Sequence, residues 1–198
     1  MSILVDVFPY TINVGGREVP IRCDFATGIK FSELVENQEL DYKQKLEECL
    51  KLYLIDIGDV VGLNINDVIT AILDFYSCNE KAEKGAGRKG ERVLSYSQDA
   101  NFIYSAFYEQ YGIDLQEAQL HWWKFKALLD GLSDKTMIKK IMNIRAMDTS
   151  KLDKEQRKHY QSLKRHYKLQ QQISKREADE IEELETALMN GGNISNLL

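Results

Sequence analysis

Histidine is the side chain best suited to proton transfer near neutral pH, and the sequence holds three of them. His121 lies at the edge of the apolar stripe of a predicted helix and could act as a base. No serine, cysteine or acid stands at a spacing that would orient it, so a hydrogen-bonded core histidine is the favoured interpretation. His159 and His166 share one helical face with lysines and arginines that would repel a metal ion. We predict that these two are solvated surface residues.

A glycine-rich stretch offers a second chemical motif, because Gly85-Ala-Gly87-Arg-Lys-Gly90 fits GxGxxG. The phosphate-binding form of that motif follows a strand and leads directly into a helix. Here a predicted helix precedes the motif and Val93-Leu-Ser-Tyr96 follows it. The context therefore favours a flexible linker over residues 80–92.

The remaining candidates for chemistry are also better explained by structure. Adjacent acids such as Glu47 and Glu48 diverge on a helix and cannot work as an acid and base couple. Gln110 interrupts an apolar arc near a helix end, where we expect it to bond backbone carbonyls of the following turn; a specificity contact is the minority alternative. The cysteines are odd in number, widely spaced and set among apolar residues, which predicts reduced, packed thiols at Cys23, Cys49 and Cys78. We predict no catalytic residue, no cofactor and no metal site, and hence a protein that is not an enzyme.

An aromatic stretch over residues 96–132 is predicted to form the core on which the other elements pack. Its first predicted helix starts near Asp99 and ends at Gly112, with a polar strip of Asn101, Ser105 and Glu109, and should be wrapped by other elements. A capping box, Asp114-x-x-Glu117, predicts the start of the second helix. The stripe of that second helix is Leu115, Ala118, Trp122, Phe125 and Leu129, with a further stripe of Leu120, Trp123 and Ala127. The predicted core residues are Phe102, Phe107, Trp122, Trp123 and Phe125.

A β-hairpin is predicted near the start of the chain, over residues 10–21. Tyr10, Ile12 and Val14 alternate on one side and Val19 and Ile21 on the other, and a Gly-Gly pair between them supplies the positive φ angles of a tight turn. Proline at position 20 makes this an edge ribbon, which is too small to be stable unless it docks on the helices.

Helical periodicity and capping residues predict five more helices around that core. They run from Asp24 to Asn37, from Tyr42 to Leu54, from a cap at Asn66, from Ser133 to Met142, and from Asp153 to Lys168. Val35 and Tyr42 belong to the predicted buried faces of the first two. A short strand over residues 92–96 is possible, and a loop over residues 143–150 would bring Arg145 close enough to Asp148 to pair.

Two charged helices close the chain. The helix ending at Lys168 is basic on its outer side, where Arg157, Lys158, Lys164 and Arg165 could follow a phosphate backbone. The next begins at Ser174-x-x-Glu177 and has one apolar seam flanked by acids, made of Ala178, Ile181, Leu184 and Leu188. An outermost helix is the favoured interpretation of that seam, and a detachable arm or oligomer contact is the alternative. We predict a helical domain over residues 1–168 and a separate amphipathic helix and tail over residues 169–198.

Bulk composition narrows the function classes. The chain has 198 residues, 43% of them apolar, and a net charge of −5, which argues against general nucleic-acid affinity. No apolar run reaches the length of a membrane span, and no signal peptide is evident, so we expect a cytosolic protein. The fold class predicted is mainly α: a multi-helix globular domain with a small N-terminal β-hairpin and a C-terminal amphipathic acidic helix.

Three segments together resemble one known family. They are the hairpin with Asp24-Phe25 and Ile29-Lys-Phe31-x-Glu33-Leu34; Asp99-Ala-x-x-Ile103-Tyr-x-Ala-Phe107-x-x-Gln110-Tyr-Gly-Ile-Asp-Leu115 with the LHWWKF string at residues 120–125; and Ile144-Arg-Ala-Met-Asp148 with its basic helix. Over roughly residues 10 to 168 they resemble the Gp-fifteen (Gp15) family of tailed-bacteriophage proteins, from the tail morphogenesis region of long-tailed phages and prophages of Gram-positive bacteria.

The resemblance implies a tail assembly chaperone, which binds the long, helical tape measure protein in the host cytoplasm and holds it soluble until tail-tube subunits polymerise around it. Ile181, Leu184 and Leu188 are then expected to cover an apolar groove or to join copies, and Arg157 and Lys164 are further candidates for contact with a partner. The alternatives are a structural virion component, such as a tail-terminator or connector subunit, and a nucleic-acid-binding regulator.

Overall fold

The structure is a computed structural model that describes residues 4–79 and 92–170. These ranges form an antiparallel hairpin and seven α-helices, which confirms the predicted mainly α fold with its N-terminal ribbon. The elements are β1 Thr11–Val14, β2 Arg17–Pro20, α1 Phe25–Glu36, α2 Tyr42–Tyr53, α3 Ile65–Tyr76, α4 Ala100–Tyr111, α5 Trp122–Asp130, α6 Met137–Ala146 and α7 Lys154–His166. Short 3-10 helices cover Ile57–Val60 and Thr149–Lys151. The predicted linker, except for its last residue, and the predicted acidic helix lie outside the described residues.

The hairpin buries one face against the helices. Ile12 pairs with Val19 across the ladder, and both are at most 5% exposed, as are Val14 and Ile21. The turn uses Gly15 and Gly16 at φ 60° and 86°, a conformation that disfavours other residues. β1 lies on α3, which supplies the support that a two-stranded ribbon needs.

Carboxylate caps fix the first helix ends. The Asp24 side chain accepts a hydrogen bond from the Thr27 amide at 2.9 Å, and Asp41 forms a reciprocal capping box with Gln44. α7 begins in the same way at Asp153. The predicted cap at Asn66 is wrong, because the side chain of Asn64 caps α3 and the helix begins at Ile65.

The largest departure from prediction is the start of α5, which begins at Trp122 and not at Asp114. The Asp114 carboxylate accepts hydrogen bonds from the Tyr104 hydroxyl and the Gln116 amide, so it closes a turn instead of a capping box. The chain then runs alongside residues 23–25, where the Phe25 amide donates to the Leu120 carbonyl at 2.9 Å. Leu115 and Ala118 are therefore not in a helix.

The aromatic core is centred on the predicted residues. Phe107 and Phe125 are fully buried and stacked 5.1 Å apart, and Trp122 and Trp123 are 1% and 6% exposed. Phe102 is only half-buried. The same core extends from Ile12 to Ile138 and joins both described ranges.

α4 is less enclosed than its sequence indicates. Ile103, Ala106 and Phe107 face the core, but Tyr104 and Tyr108 stack on each other at the outer side, and Tyr108 is 59% exposed. The prediction of a wrapped helix is wrong because a tyrosine can cover an apolar surface with its ring while its hydroxyl stays near water.

Candidate interaction surfaces

A buried ion pair joins α4 to α6. The Arg145 guanidinium donates to both Asp99 carboxylate oxygens, at 2.6 and 2.9 Å, and the two residues are 8% and 1% exposed. Arg145 also donates to the carbonyls of Val93 and Tyr167, at 2.9 and 2.6 Å. The Ser95 amide completes the site by donating to Asp99. This arrangement satisfies both charges, and it ties residues 93–99, α6 and the end of α7 to one point.

Three predictions about the segments around this ion pair are wrong. Arg145 does not pair with Asp148, because α6 continues to Ala146 and turns the guanidinium toward the core. The helix begins at Met137 with Thr136 as its cap, and Ser133 instead supports the preceding turn. Residues 92–95 form no strand, since the Val93 carbonyl bonds to Arg145.

His121 caps α5 from within the core. Its Nδ1 accepts a hydrogen bond from the Trp123 amide at 3.1 Å, and its Nε2 lies 2.8 Å from the Pro9 carbonyl. Since a carbonyl can only accept, Nε2 carries the proton. Burial lowers the pKa of His121, although the hydrogen bond to Pro9 opposes that shift. The prediction of a hydrogen-bonded core histidine is confirmed.

Both tryptophans anchor the end of α3. The Trp122 indole donates to the Tyr76 carbonyl and the Trp123 indole donates to the Phe75 carbonyl, each at 2.8 Å. The Trp122 bond satisfies the Tyr76 carbonyl at the end of the helix, where partners within the helix are lacking. The Phe75 carbonyl accepts from the Cys78 amide as well as from Trp123, so the second indole bond adds to a backbone bond.

An open groove separates α1 from α2. It has a volume of about 710 Å³, and half-buried Leu34, Leu40 and Leu52 line it. Glu33, Glu47 and Glu48 stand around these leucines, and Ser97, just before α4, completes the wall. Glu48 is paired with Lys51 at 2.7 Å, and Glu47 lies 4.0 Å from Lys43. Lys30 also lines the groove. The groove is therefore apolar at its base, and the charged residues of its lining are three glutamates and one lysine.

Two residues of the helices that form the groove were predicted to be buried and are not. Val35, at the end of α1, is 55% exposed, and Tyr42, at the start of α2, is 74% exposed. The core faces of these helices instead use Thr27, Gly28 and Phe31 on α1, and Cys49 and Tyr53 on α2. These two helices thus present apolar side chains that the core does not cover.

A second exposed apolar surface lies in the connection between α2 and α3. Ile55, Ile57 and Val61 are 58%, 64% and 72% exposed, and Ile65 at the start of α3 is 43% exposed. None of these four residues lines the α1–α2 groove. They offer apolar contact area apart from that groove.

The basic helix uses part of its charge within the domain. Arg157 donates to the carbonyls of Thr149, Ser150 and Leu152, and Lys164 donates to that of Met147 at 2.9 Å. These bonds hold α7 to the turn before it. Arg157 is exposed and Lys164 half-buried, and their contact with a partner stays a prediction. His159 and His166 are exposed, as predicted.

The structure also locates the remaining predicted residues. Gln110 bonds backbone groups as expected, but those of Gly131 and Ser133 beyond α5 and not those of the following turn. The three cysteines are free thiols, with Cys49 buried and Cys23 and Cys78 half-buried. Ile181, Leu184 and Leu188 lie outside the described residues.

Within residues 4–79 and 92–170, no group of three His, Cys, Asp or Glu side chains could hold a metal ion. Over the same ranges, no helix has the length and apolar character needed to cross a bilayer.

A family comparison supplies the biological context. The model of the Bacteriophage Gp15 protein family matches residues 4–169. The chain belongs to the bacteriophage Gp15 family. No curated protein and no solved structure matches it. Membership in the Gp15 family indicates a phage structural or morphogenesis protein.

The Gp15 match spans all the described elements and ends close to the last described residue. It includes the Asp99 and Arg145 pair, both tryptophans and the α1–α2 groove. Residues 171–198 of this Gp15 protein fall outside the match.

Proposed function

We propose that this Gp15-family protein is a tail assembly chaperone that binds the tape measure protein and holds it soluble during tail morphogenesis in the host cytoplasm. It performs no reaction and acts by holding another polypeptide. The observation that carries the proposal is the open α1–α2 groove lined by leucines, together with exposed Val35 and Tyr42, which lie close in sequence to its lining residues Leu34 and Leu40.

The groove suits a helical client. Amphipathic helices bind by laying an apolar stripe into a groove, with anchors three or four residues apart. Leu34, Leu40 and Leu52 provide the apolar base for such a stripe, and exposed Val35 and Tyr42 add apolar surface on the same two helices. The surrounding glutamates would favour a stripe flanked by lysine or arginine.

Co-expression tests this function at the groove. The double variant Val35→Glu/Tyr42→Glu changes only exposed side chains, so the domain should still fold. We expect it to reduce the soluble tape measure protein at least fivefold relative to the unmodified chain. The matched control is Ile55→Glu/Ile57→Glu, which places the same charges on the other exposed apolar surface and should leave solubility unchanged. Equal loss in both variants, or in neither, would remove the groove from the proposal.

The finished particle provides a separate test. A chaperone leaves before assembly is complete, so mass spectrometry of purified virions should not find this chain. Its presence in stoichiometric amount would overturn the chaperone role and support a structural virion component.

A further inference from the structure

The described chain ends at the edge of the α1–α2 groove. The Gln98 side chain holds the backbone of Gln170 by two hydrogen bonds of 2.8 Å, one from its amide nitrogen and one to its oxygen. Ser97, the residue before Gln98, is part of the groove wall. Residues 171–198 therefore start from a fixed point beside the groove.

The sequence that follows Gln170 has the chemistry to occupy this groove. An extended chain spans at most about 3.3–3.6 Å per residue, so Ile173 can lie about 10 Å from Gln170 and Arg176 about 20 Å. Ile173 is apolar, and Lys175 and Arg176 are cationic. The groove offers the complement, with leucines at its base and glutamates at its edge.

Charge restricts which part of residues 171–198 could bind in the groove. Residues 177–185 hold six acids, and the glutamates of the groove would repel them. The two cations come before this acidic stretch, and the groove lining holds three glutamates, Glu33, Glu47 and Glu48, against one lysine, Lys30. The short basic segment, and not the acidic seam, is thus the suitable occupant.

We infer that residues 171–176 of this chain bind in its own α1–α2 groove, with Ile173 on the leucines and Lys175 and Arg176 opposite the glutamates. A segment tethered at the groove edge has an effective concentration in the millimolar range, so weak contacts suffice to occupy the site. This inference goes beyond the proposed function, because it concerns the free protein. If the proposed function also holds, any client must displace the segment.

Cross-linking of the full chain tests the contact without any client. A carbodiimide joins amines to carboxylates only when they touch, and mass spectrometry locates the joined pairs. We expect Lys175 to be joined to Glu33, Glu47 or Glu48 within a monomer. Joining of Lys175 to α7, joining only between two copies, or no joining of Lys175 would each overturn the inference.

Two variants make the test specific. Ile173→Asp keeps Lys175 but removes the apolar anchor, and should lower the yield of these cross-links at least fivefold. Ile194→Asp places the same change near the end of the chain and should not alter the yield. Equal yields in the two variants would contradict the role of Ile173. Because no tape measure protein is present, failure here leaves the co-expression result unaffected.

Discussion

At the scale of single residues, Arg145 is the side chain whose loss we expect to lower the free energy of unfolding most. All four of its hydrogen bonds end inside the domain, two of them on the Asp99 carboxylate. A buried charge that loses its partner typically costs about 3–5 kcal/mol, whereas an exposed pair contributes about 0–1 kcal/mol. Removing either Asp99 or Arg145 therefore leaves the other as an unpaired buried charge.

Asp99→Asn or Arg145→Met alone should lower the free energy of unfolding by about 3–5 kcal/mol. The double variant Asp99→Asn/Arg145→Met should lose less than the two single losses combined, because no uncompensated charge remains. Urea denaturation measures all three. Lys51→Ala, which removes the exposed partner of Glu48, is the control and should change stability by less than about 1 kcal/mol. Additive losses at Asp99 and Arg145 would contradict the coupling.

His121 should make stability depend on pH. Its pKa is lowered in the folded protein, so below the ordinary value of about 6.5 the unfolded chain binds a proton that the folded chain resists. The contribution of neutral His121 to the free energy of unfolding is thus fully present above pH 6.5. It is lost as the pH drops toward the pKa of His121 in the folded protein. Protonation of Nδ1 would also end the cap on the Trp123 amide.

The measurement is the free energy of unfolding between pH 8 and pH 5. We expect His121→Asn, which keeps a capping side chain but does not titrate, to flatten this profile. His159→Asn, at an exposed position, should leave the slope as it is. The same slope in the His121 variant would show that other groups cause the dependence.

At the scale of elements, the contact between α1 and α5 depends on a glycine. A methyl group on Gly28 would overlap the Trp122 ring, which is 1% exposed and bonded to Tyr76. The indole therefore has no room to move away without breaking its hydrogen bond.

Gly28→Ala should consequently destabilise the protein by about 1–3 kcal/mol through overpacking, although alanine favours a helix by about 1 kcal/mol over glycine. Thermal unfolding measures the effect. Lys30→Ala, two residues along the same helix on its exposed side, should have little effect. A gain in stability from Gly28→Ala would mean that α5 lies farther from α1 than the structure shows.

The sequence predicts a helix start well where the capping side chain bonds an amide only a few residues ahead. Asp24, Asp41 and Asp153 each bind an amide three residues ahead, so the sequence alone locates those helix starts. Asp114 has the same signature, yet its carboxylate bonds to Tyr104 from the preceding helix. A capping box is inferred from two residues three positions apart, and that pattern does not show whether a distant side chain will bond the first of them instead.

Contacts between residues far apart in the sequence could not be predicted from residue spacing. The Asp99 and Arg145 residues are 46 positions apart, whereas Asp148 was the nearer acid. The only sequence signal was that both residues fall in segments resembling one family. The exposure of Val35 and Tyr42 was missed for a related reason, because periodicity indicates an apolar face but not which neighbour covers it.

At the scale of the whole molecule, one continuous core protects Cys49. Burial raises the pKa of its thiol to about 11, so at pH 8.5 only a small fraction is thiolate. We expect iodoacetamide to label native Cys49 about 100-fold more slowly than the urea-unfolded chain at that pH. Half-buried Cys23 serves as the internal comparison and should react faster. Equal rates at the two positions would show that α2 opens independently of the core.

The Arg145 cluster also bears on how each copy matures during translation. Asp99 leaves the ribosome 46 residues before its partner, a delay of about 2–9 s at 5–20 residues per second, and the Tyr167 carbonyl emerges later still. Until then Asp99 lacks the guanidinium that pairs with it in the folded domain, and α4 lacks α6 to pack against. A nascent chain that is stalled or cleaved before Tyr167 should therefore be recognised by proteases, so that the cell accumulates only finished copies.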